Sequence, residues 1–415
     1  MKYCLIGERL SHSYSAEIHK GCGLNYELKE VPRGKLADFI KENYDGFNVT
    51  IPYKKEIIPF LDGVDESAEK IGAVNTVVKT DGKYIGYNTD MEGMRYALSR
   101  KGICLTERNV MILGSGGAAC TAQALCGAEG AKSFVTVSRS GEINYENCYE
   151  LKDTDIIINA TPVGMFPNIG ETPIDLSRFK NLKGVFDCVY NPFNTALIMQ
   201  AKKLGVPCSD GLPMLVKQAL EAQKIWGVTS DKADTEEIIN GLYADKLNIV
   251  LVGMPSSGKT TVGKLVAEIS GKKFIDTDAE IFNATGKTPA EIIEKTGEKA
   301  FRDIETEIVK KAALSSGAVI ATGGGAVLRG ENVSALKSGG VVFYIKRDLS
   351  LLTAEHRPLS QSGGIARLFV ERKALYERAA DFTVLNDGKK ADCANEIASV
   401  FNNYKYNPKD TGDKR

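Results

Sequence analysis

The stretch Leu247-Asn248-Ile249-Val250-Leu251-Val252-Gly253-Met254-Pro255-Ser256-Ser257-Gly258-Lys259-Thr260-Thr261 reads as a short apolar strand running straight into a glycine-bounded loop and then a helix. Gly253, Gly258, Lys259 and Thr260 fill the pattern GxxxxGKT. In that pattern backbone N–H groups cradle phosphate oxygens, the lysine reaches the terminal phosphate, and the threonine hydroxyl takes Mg²⁺. The helix starting near Lys259 adds the positive end of its dipole. A plain Gly/Ser connection would share the composition, but here strand, loop and helix signals fall in the order that phosphate binding requires. The stretch predicts a nucleotide site made of Gly253, Pro255, Ser256, Ser257, Gly258, Lys259, Thr260 and Thr261, in a P-loop domain with a parallel sheet.

Too much chain precedes this loop for a tail. At 415 residues, with 43% hydrophobic and 26% charged, the composition is that of a globular protein of two or three domains. The formal net charge is zero, with no basic tract or acidic tail, so small-molecule chemistry is expected, without nucleic acid or a membrane surface as partner. The N-terminus lacks the apolar stretch of a signal peptide and no apolar run is long enough to span a bilayer, which points to a cytoplasmic protein. The nine cysteines are odd in number, scattered and free of CxxC pairs, and read as reduced thiols.

Upstream of the phosphate loop, residues 108 to 137 read strand, Gly114-Ser115-Gly116-Gly117-Ala118-Ala119, helix, second strand. That is GxGxxA in a βαβ setting, the dinucleotide fingerprint with alanine in its permitted third place. Where an NAD site would place a carboxylate, the second strand ends in Ser138-Arg139-Ser140. An arginine and two hydroxyls would hold the 2′-phosphate that a carboxylate would repel, so NADP is favoured. Strands at 155 to 159 and 185 to 187 continue a parallel, doubly wound sheet.

Closer to the N-terminus, an apolar strand at 2 to 7 leads into Glu8-Arg9-Leu10-Ser11-His12-Ser13-Tyr14-Ser15, where hydroxyls crowd a helix start and could hold a carboxylate or simply cap the helix. Gly46-Phe47-Asn48-Val49-Thr50-Ile51-Pro52-Tyr53-Lys54-Lys55 reads as a strand that stops at the proline and deposits polar groups, Lys54 among them, at its end. A partly buried lysine there could serve as acid and base, although taken alone it reads as a solvated charge. Thr80-Asp81-Gly82-Lys83 reads as a hairpin turn, and Asp90 opens a helix at 91 to 100, where it could act as N-cap, as catalyst, or as both.

Downstream of the loop, Lys273 to Asp278 is a strand ending in two carboxylates, suited to Mg²⁺ through water and to a substrate hydroxyl proton. Arg302 lies on a helix and could bind a carboxylate; Gly323-Gly324-Gly325 leaves bare backbone at a strand end. Ala244-Asp245-Lys246 reads as almost the whole linker between the halves.

Several of these pieces together resemble one family. Ser13 and Ser15, NVTIPYK at 48 to 54, GAVNT at 72 to 76, GYNTD at 86 to 90, GSGGAA, NATPVGM at 159 to 165 and DGLPMLVKQA at 210 to 219 resemble shikimate dehydrogenase over roughly residues 1 to 244. The resemblance implies Lys54 and Asp90 as the catalytic pair, with Ser13, Ser15, Asn48, Thr50, Asn75, Tyr190 and Gln218 around the substrate. It implies Gly114, Ser115, Gly116, Gly117, Ala118, Ser138, Arg139, Thr161 and Gly211 around NADP(H). Residues 1–98, completed by 212–244, would form the α/β substrate domain and 99–211 the Rossmann domain. Ala16 stands where the family usually has proline, and Ser138 where asparagine is common.

Residues 247–403 resemble shikimate kinase, with 404–415 expected as a disordered tail. This resemblance implies Lys259 and Thr260 for ATP and Mg²⁺, with Asp276 behind the metal. It places Asp278, Arg302, Gly324, Gly325 and Arg372 around shikimate, and makes Arg357 the lid arginine that meets the transferring phosphoryl. Lys259, Asp278 and Arg357 are then the catalytic residues of this half. The lid is short and lacks the earlier arginine that usually lies against adenine. The whole reads as a bifunctional enzyme, monomer or homodimer, reducing 3-dehydroshikimate with NADPH and phosphorylating the shikimate formed. The alternatives are a nucleotide-sensing second half, which would not need Asp278, Arg302 and Arg372, and a quinate-accepting NAD dehydrogenase, which Arg139 disfavours.

Overall fold

The computed structural model describes residues 1–10, 13–228, 234–352 and 364–404. Arg357, Ser11, His12 and residues 405–415 lie outside them, so neither the lid arginine nor the expected tail beyond Tyr404 is placed. The chain divides into two units between Ile239 and Asn240.

The first unit begins with strands β1 (Tyr3–Gly7), β2 (Tyr26–Glu30), β3 (Gly46–Val49), β4 (Gly63–Val64), β5 (Thr76–Thr80) and β6 (Lys83–Tyr87). They form one mixed sheet in the order β2-β1-β3-β5-β6-β4. β1 pairs parallel with β2 and β3, while β3, β5 and β6 run antiparallel, the Asp81-Gly82 turn closing the β5–β6 hairpin. The register sets Asn48 opposite Thr76. One face of the sheet packs Ile6, Phe39, Phe47, Tyr53 and Val77 into a core, and the other packs Tyr3, Leu5, Tyr26, Ala222 and Trp226. Ala222 and Trp226 belong to helix Leu212–Ile225 and its cap, so this later helix covers the first sheet, and the Trp226 indole N–H donates to the Val77 carbonyl at 2.9 Å.

A second sheet in the same unit contains β7 (Asn109–Leu113), β8 (Ser133–Val137), β9 (Ile156–Asn159), β10 (Gly184–Asp187) and β11 (Cys208–Ser209), all parallel, in the order β11-β10-β9-β7-β8. The inner strands β7 and β9 are nearly continuous runs of Val, Ile, Leu and Met, as strands buried on both faces demand. The chain leaves β7 to one side for β8 and returns on the other for β9, which opens a crevice at the carboxyl end of β7, where ligands of such sheets bind.

The second unit holds β12 (Asn248–Val252), β13 (Lys273–Asp276), β14 (Ala318–Ala321), β15 (Gly340–Lys346) and β16 (Phe382–Leu385), again parallel, in the order β13-β14-β12-β15-β16. β12 is central, and it delivers its C-terminal end to the phosphate loop.

The expected linker differs from what is found. Ala244, Asp245 and Lys246 are the last turn of helix Thr235–Lys246, and Leu247 leads directly into β12. The helix continues because those residues contain no breaker, and because Ile239, Leu242 and Tyr243 keep a buried stripe at helical spacing.

Candidate active sites

Lys54 lies five residues past the end of β3, and its ammonium bonds the Asp90 carboxylate. The two side chains are 17% and 6% exposed. Asp90 is the first residue of helix Asp90–Ser99, whose cap is Thr89 with no side-chain cap bond. Its expected capping role is therefore absent: one carboxylate oxygen faces Lys54, and the other accepts from Asn75 Nδ2 at 2.9 Å. The Asn75 amide also reaches Gln218 Oε1 at 3.3 Å, and its Oδ1 accepts from the Thr89 N–H at 2.8 Å. Lys54, Asp90, Asn75 and Gln218 thus form one connected group drawn from the β3 loop, two helices and the start of β5.

Asn48 is buried and bonded on both sides of its amide. Its two amide hydrogens go to the Asn75 carbonyl at 3.2 Å and Thr76 Oγ1 at 3.0 Å, while its Oδ1 accepts from the Tyr26 hydroxyl at 2.8 Å. It braces β3 against β5, as its place opposite Thr76 requires. Thr50 is half-buried, its methyl beside Gly7, and its N–H extends the β1 pairing to the Ile6 carbonyl. Ser13 Oγ lies 3.2 Å from Ser15 Oγ, and the cap of helix Ser15–Gly21 is Tyr14, with no side-chain cap bond. Burial pushes the Tyr190 phenol above its ordinary value, against the opposing pull of its hydrogen bond with Ser13. Behind this cluster lies His19, which no motif marks; it is fully buried, stacked on Tyr26 at 4.1 Å and bonded to Gln223 at 3.0 Å.

The fingerprint loop follows β7. Gly114 has φ +109°, and a Cβ there would lie 3.0 Å from Thr161 Cγ2 and 3.1 Å from the Ala160 carbonyl. Ser115 and Gly116 are exposed, Gly117 and Ala118 half-buried at the start of the helix. A Cβ on Gly117 would meet Lys54 Cδ at 3.2 Å, so this loop adjoins the lysine. Ser138 and Arg139 follow β8, the arginine exposed. Gly211 lies against the Cys188 carbonyl, where a Cβ would sit at 2.2 Å. A glycine-lined crevice beside an exposed arginine fits a dinucleotide with a 2′-phosphate. Asp187 ties the ends of β9 and β10 by accepting from Asn159, Thr195 and the Val189 N–H, and burial pushes its carboxyl up to about 7 against those bonds.

In the second unit Gly253 and Gly258 have φ +150° and +95°, and Gly258 caps helix Lys259–Ser270. The Lys259 ammonium folds back on the loop carbonyls of Gly253 and Met254 at 2.9 and 2.8 Å. Thr260 Oγ1 donates to Asp276 Oδ2 at 2.7 Å, while Asp276 Oδ1 accepts from the Asp278 and Ala279 N–H groups. One hydroxyl and one carboxylate at the foot of a phosphate loop fit Mg²⁺, which keeps most of its water and takes the rest of its shell from phosphates.

Asp278, Arg302, Arg372 and the three glycines converge. A Cβ on Gly323 would lie 2.7 Å from Asp278 Oδ1 and 2.9 Å from Glu305 Oε1; one on Gly325 would lie 2.1 Å from Arg302 Nη1. The Gly324 carbonyl accepts from Arg372 Nη1 at 3.3 Å and from the Tyr376 hydroxyl. Arg302 is paired with Glu305 at 2.7 Å and Glu298 at 3.0 Å, and burial, which disfavours its charge, is outweighed by those carboxylates. Burial pushes the Glu305 carboxyl above its ordinary value despite Arg302. No motif marks Glu305, but its place three residues after Arg302 on a helix is the spacing at which ion pairs form.

Comparison with known proteins agrees with this geometry. Residues 255–402 match the family model of shikimate kinase, and residues 5–77 that of the shikimate dehydrogenase substrate binding domain. A shikimate dehydrogenase (NADP(+)) of Clostridium beijerinckii is 37% identical over 246 residues, 54% of this chain and 91% of that protein. One from Staphylococcus epidermidis is 39% identical over 248 residues, 54% of this chain and 92% of that one. Among solved structures, a chorismate mutase/shikimate 5-dehydrogenase fusion protein from Clostridium acetobutylicum matches with TM-score 0.55 and 36% identity, over 58% of this chain and 96% of that chain. Shikimate dehydrogenase 1 from Peptoclostridium difficile matches with TM-score 0.54 and 35% identity, over 58% and 97%. The chain belongs to the shikimate dehydrogenase family and carries a shikimate kinase domain in its second half.

Proposed function

We propose that the chain catalyses two consecutive reactions: NADPH-dependent reduction of 3-dehydroshikimate to shikimate, and ATP-dependent phosphorylation of the shikimate 3-hydroxyl. The observation that carries the reading is the Lys54 side chain, held between Asp90 and the fingerprint glycine Gly117, so that a proton donor stands beside a dinucleotide loop. When bound, NADPH would supply the hydride to the ring ketone. Lys54 then gives a proton from Nζ to the developing alkoxide, and Asp90, itself fixed by Asn75, holds the ammonium in place. Ser13, Ser15, Thr50, Asn75, Tyr190 and Gln218 bind the carboxylate and ring hydroxyls, and Asn48 keeps their strands in register.

In the second unit Lys259 leaves the loop carbonyls for the terminal phosphate, and Thr260 and Asp276 would hold Mg²⁺, which neutralises phosphate charge. Asp278 accepts the proton of the attacking hydroxyl; Arg302 and Arg372 grip the substrate carboxylate over the bare Gly324-Gly325 backbone. That grouping disfavours a sensor, which needs no receiver for a phosphoryl acceptor. We read the protein as a cytoplasmic monomer or homodimer acting on small molecules. This is supported by its zero net charge, and among the described residues no helix is long and apolar enough to cross a membrane.

The test supplies 3-dehydroshikimate, NADPH and ATP to the full chain and follows NADPH loss and ADP formation together. Asp278→Asn should abolish ADP formation and leave NADPH oxidation intact, and Arg139→Ala should weaken NADPH far more than NADH. ATP turnover that ignores shikimate, or survives Asp278→Asn, would sink the kinase half.

A further inference from the structure

Four carbonyls of the phosphate loop are held by three side chains. Lys259 holds those of Gly253 and Met254 from within. The other two are held by residues that lie just past the ends of neighbouring strands. Arg347, next after β15, donates from Nη1 to the Ser256 carbonyl at 3.4 Å, and Asn386, next after β16, donates from Nδ2 to the Ser257 carbonyl at 2.7 Å. Asn386 is 2% exposed and packs against Gly258, where a Cβ would meet its Nδ2 at 2.5 Å. Ser256 has φ +64°, a left-handed conformation uncommon outside glycine that persists only where its surroundings impose it. Buried Arg347 Nε, Asn386 Oδ1 and Ser257 Oγ have no hydrogen-bond partner among the described residues, so unspent polar capacity gathers at this one loop.

We propose that Arg347 and Asn386 are positioning residues of the nucleotide site, an inference that rests on the reading of this loop as the ATP site. In a trans peptide C=O and N–H point opposite ways. Pulling the Ser256 and Ser257 carbonyls outward therefore turns the N–H groups of Ser257 and Gly258 toward the inside of the loop. There the Ser257 N–H closes a turn onto the Met254 carbonyl at 3.2 Å, which fixes the loop's curvature, and it is the Gly258 N–H that is offered to phosphate oxygens. When the Lys259 ammonium moves to a phosphate its two carbonyl bonds break, and Arg347 and Asn386 are then what keeps the loop in shape.

The experiment is calorimetric titration of the full chain with MgADP, which needs no turnover and so reads the inference even if shikimate proves not to be the acceptor. Arg347→Met and Asn386→Ala should each weaken MgADP on the order of tenfold, as expected for losing one net hydrogen bond that shapes the binding surface. Arg347→Lys should recover part of the loss, the KM for ATP should rise more than kcat falls, and NADP⁺ affinity should stay put. MgADP affinity unchanged in both variants would overturn the proposal, as would equal losses for MgADP and shikimate, the mark of general damage. Should Arg347→Met fail to fold its unit, Arg347→Lys and Asn386→Ser decide: affinity equal to the parent in both overturns it.

Discussion

Lys54 shows how a residue acquires chemistry from its neighbours. In the sequence it follows another turn residue and is followed by Lys55, as a surface charge would; in the fold its ammonium is bound to a carboxylate that is 6% exposed. Lys54→Ala should lower dehydrogenase kcat by about two to four powers of ten, the range for a lost acid–base group, while kinase activity on added shikimate is unchanged. Equal losses in both assays would point to misfolding. His19 makes a second residue-scale prediction. Burial holds its imidazole down to about 3 from 6.5, so it stays neutral in the folded state. A depressed folded value means stability that is full above pH 6.5 and is lost as pH falls toward 3, with a slope of up to about 1.4 kcal/mol per pH unit. His19→Gln should remove that contribution, so urea midpoints of the dehydrogenase unit should fall less steeply between pH 6.5 and 4 than in the parent. Parallel curves would mean that His19 does not supply the slope.

At the scale of elements, the contact between helices Asp90–Ser99 and Leu212–Ile225 decides where Gln218 stands. Gly93 lies in that contact: a Cβ there would lie 2.6 Å from the Met214 carbonyl and 3.1 Å from Gln218 Cβ. Alanine in a helix interior gains up to about 1 kcal/mol over glycine. Here backbone blocks the new methyl, and overpacking costs about 1–3 kcal/mol. Gly93→Ala should therefore lower the thermal midpoint of the dehydrogenase unit and raise KM for dehydroshikimate, because the helix carrying Gln218 must move. A stabilised variant with unchanged KM would show that the crossing is loose. Helix Thr235–Lys246 runs through the stretch that local composition marks as a linker. Three polar or small residues before a strand look like a linker, yet with no glycine or proline among them the helix had no reason to stop.

For the whole molecule, each site is assembled inside its own unit: Lys54, Asp90, Asn75 and Gln218 precede Ile239, and Lys259, Asp278, Arg302 and Arg372 follow Asn240. With a net charge of zero there is no excess of one sign to steer an anionic intermediate. Shikimate should therefore be released to solvent between the steps, and the fusion should serve to keep the two activities in equal amount. Labelled 3-dehydroshikimate with NADPH, ATP and excess unlabelled shikimate tests this: early label in shikimate 3-phosphate should fall in proportion to the added pool, and undiluted label would establish direct transfer. What the sequence determined by itself is the part written in local order. GxxxxGKT, GxGxxA and the runs of Val and Ile place strands, loops and helix starts within a few residues, because turn geometry and strand burial are set by neighbours in the chain. Only the tertiary structure decided which polar groups meet. Asn48 bonds Tyr26 and Thr76 across the sheet, and Arg347 and Asn386 came to the phosphate loop from about ninety and one hundred and thirty residues away. Hydrogen-bond partners depend on which strands lie side by side and in what register, and one residue's neighbours in sequence carry no trace of that.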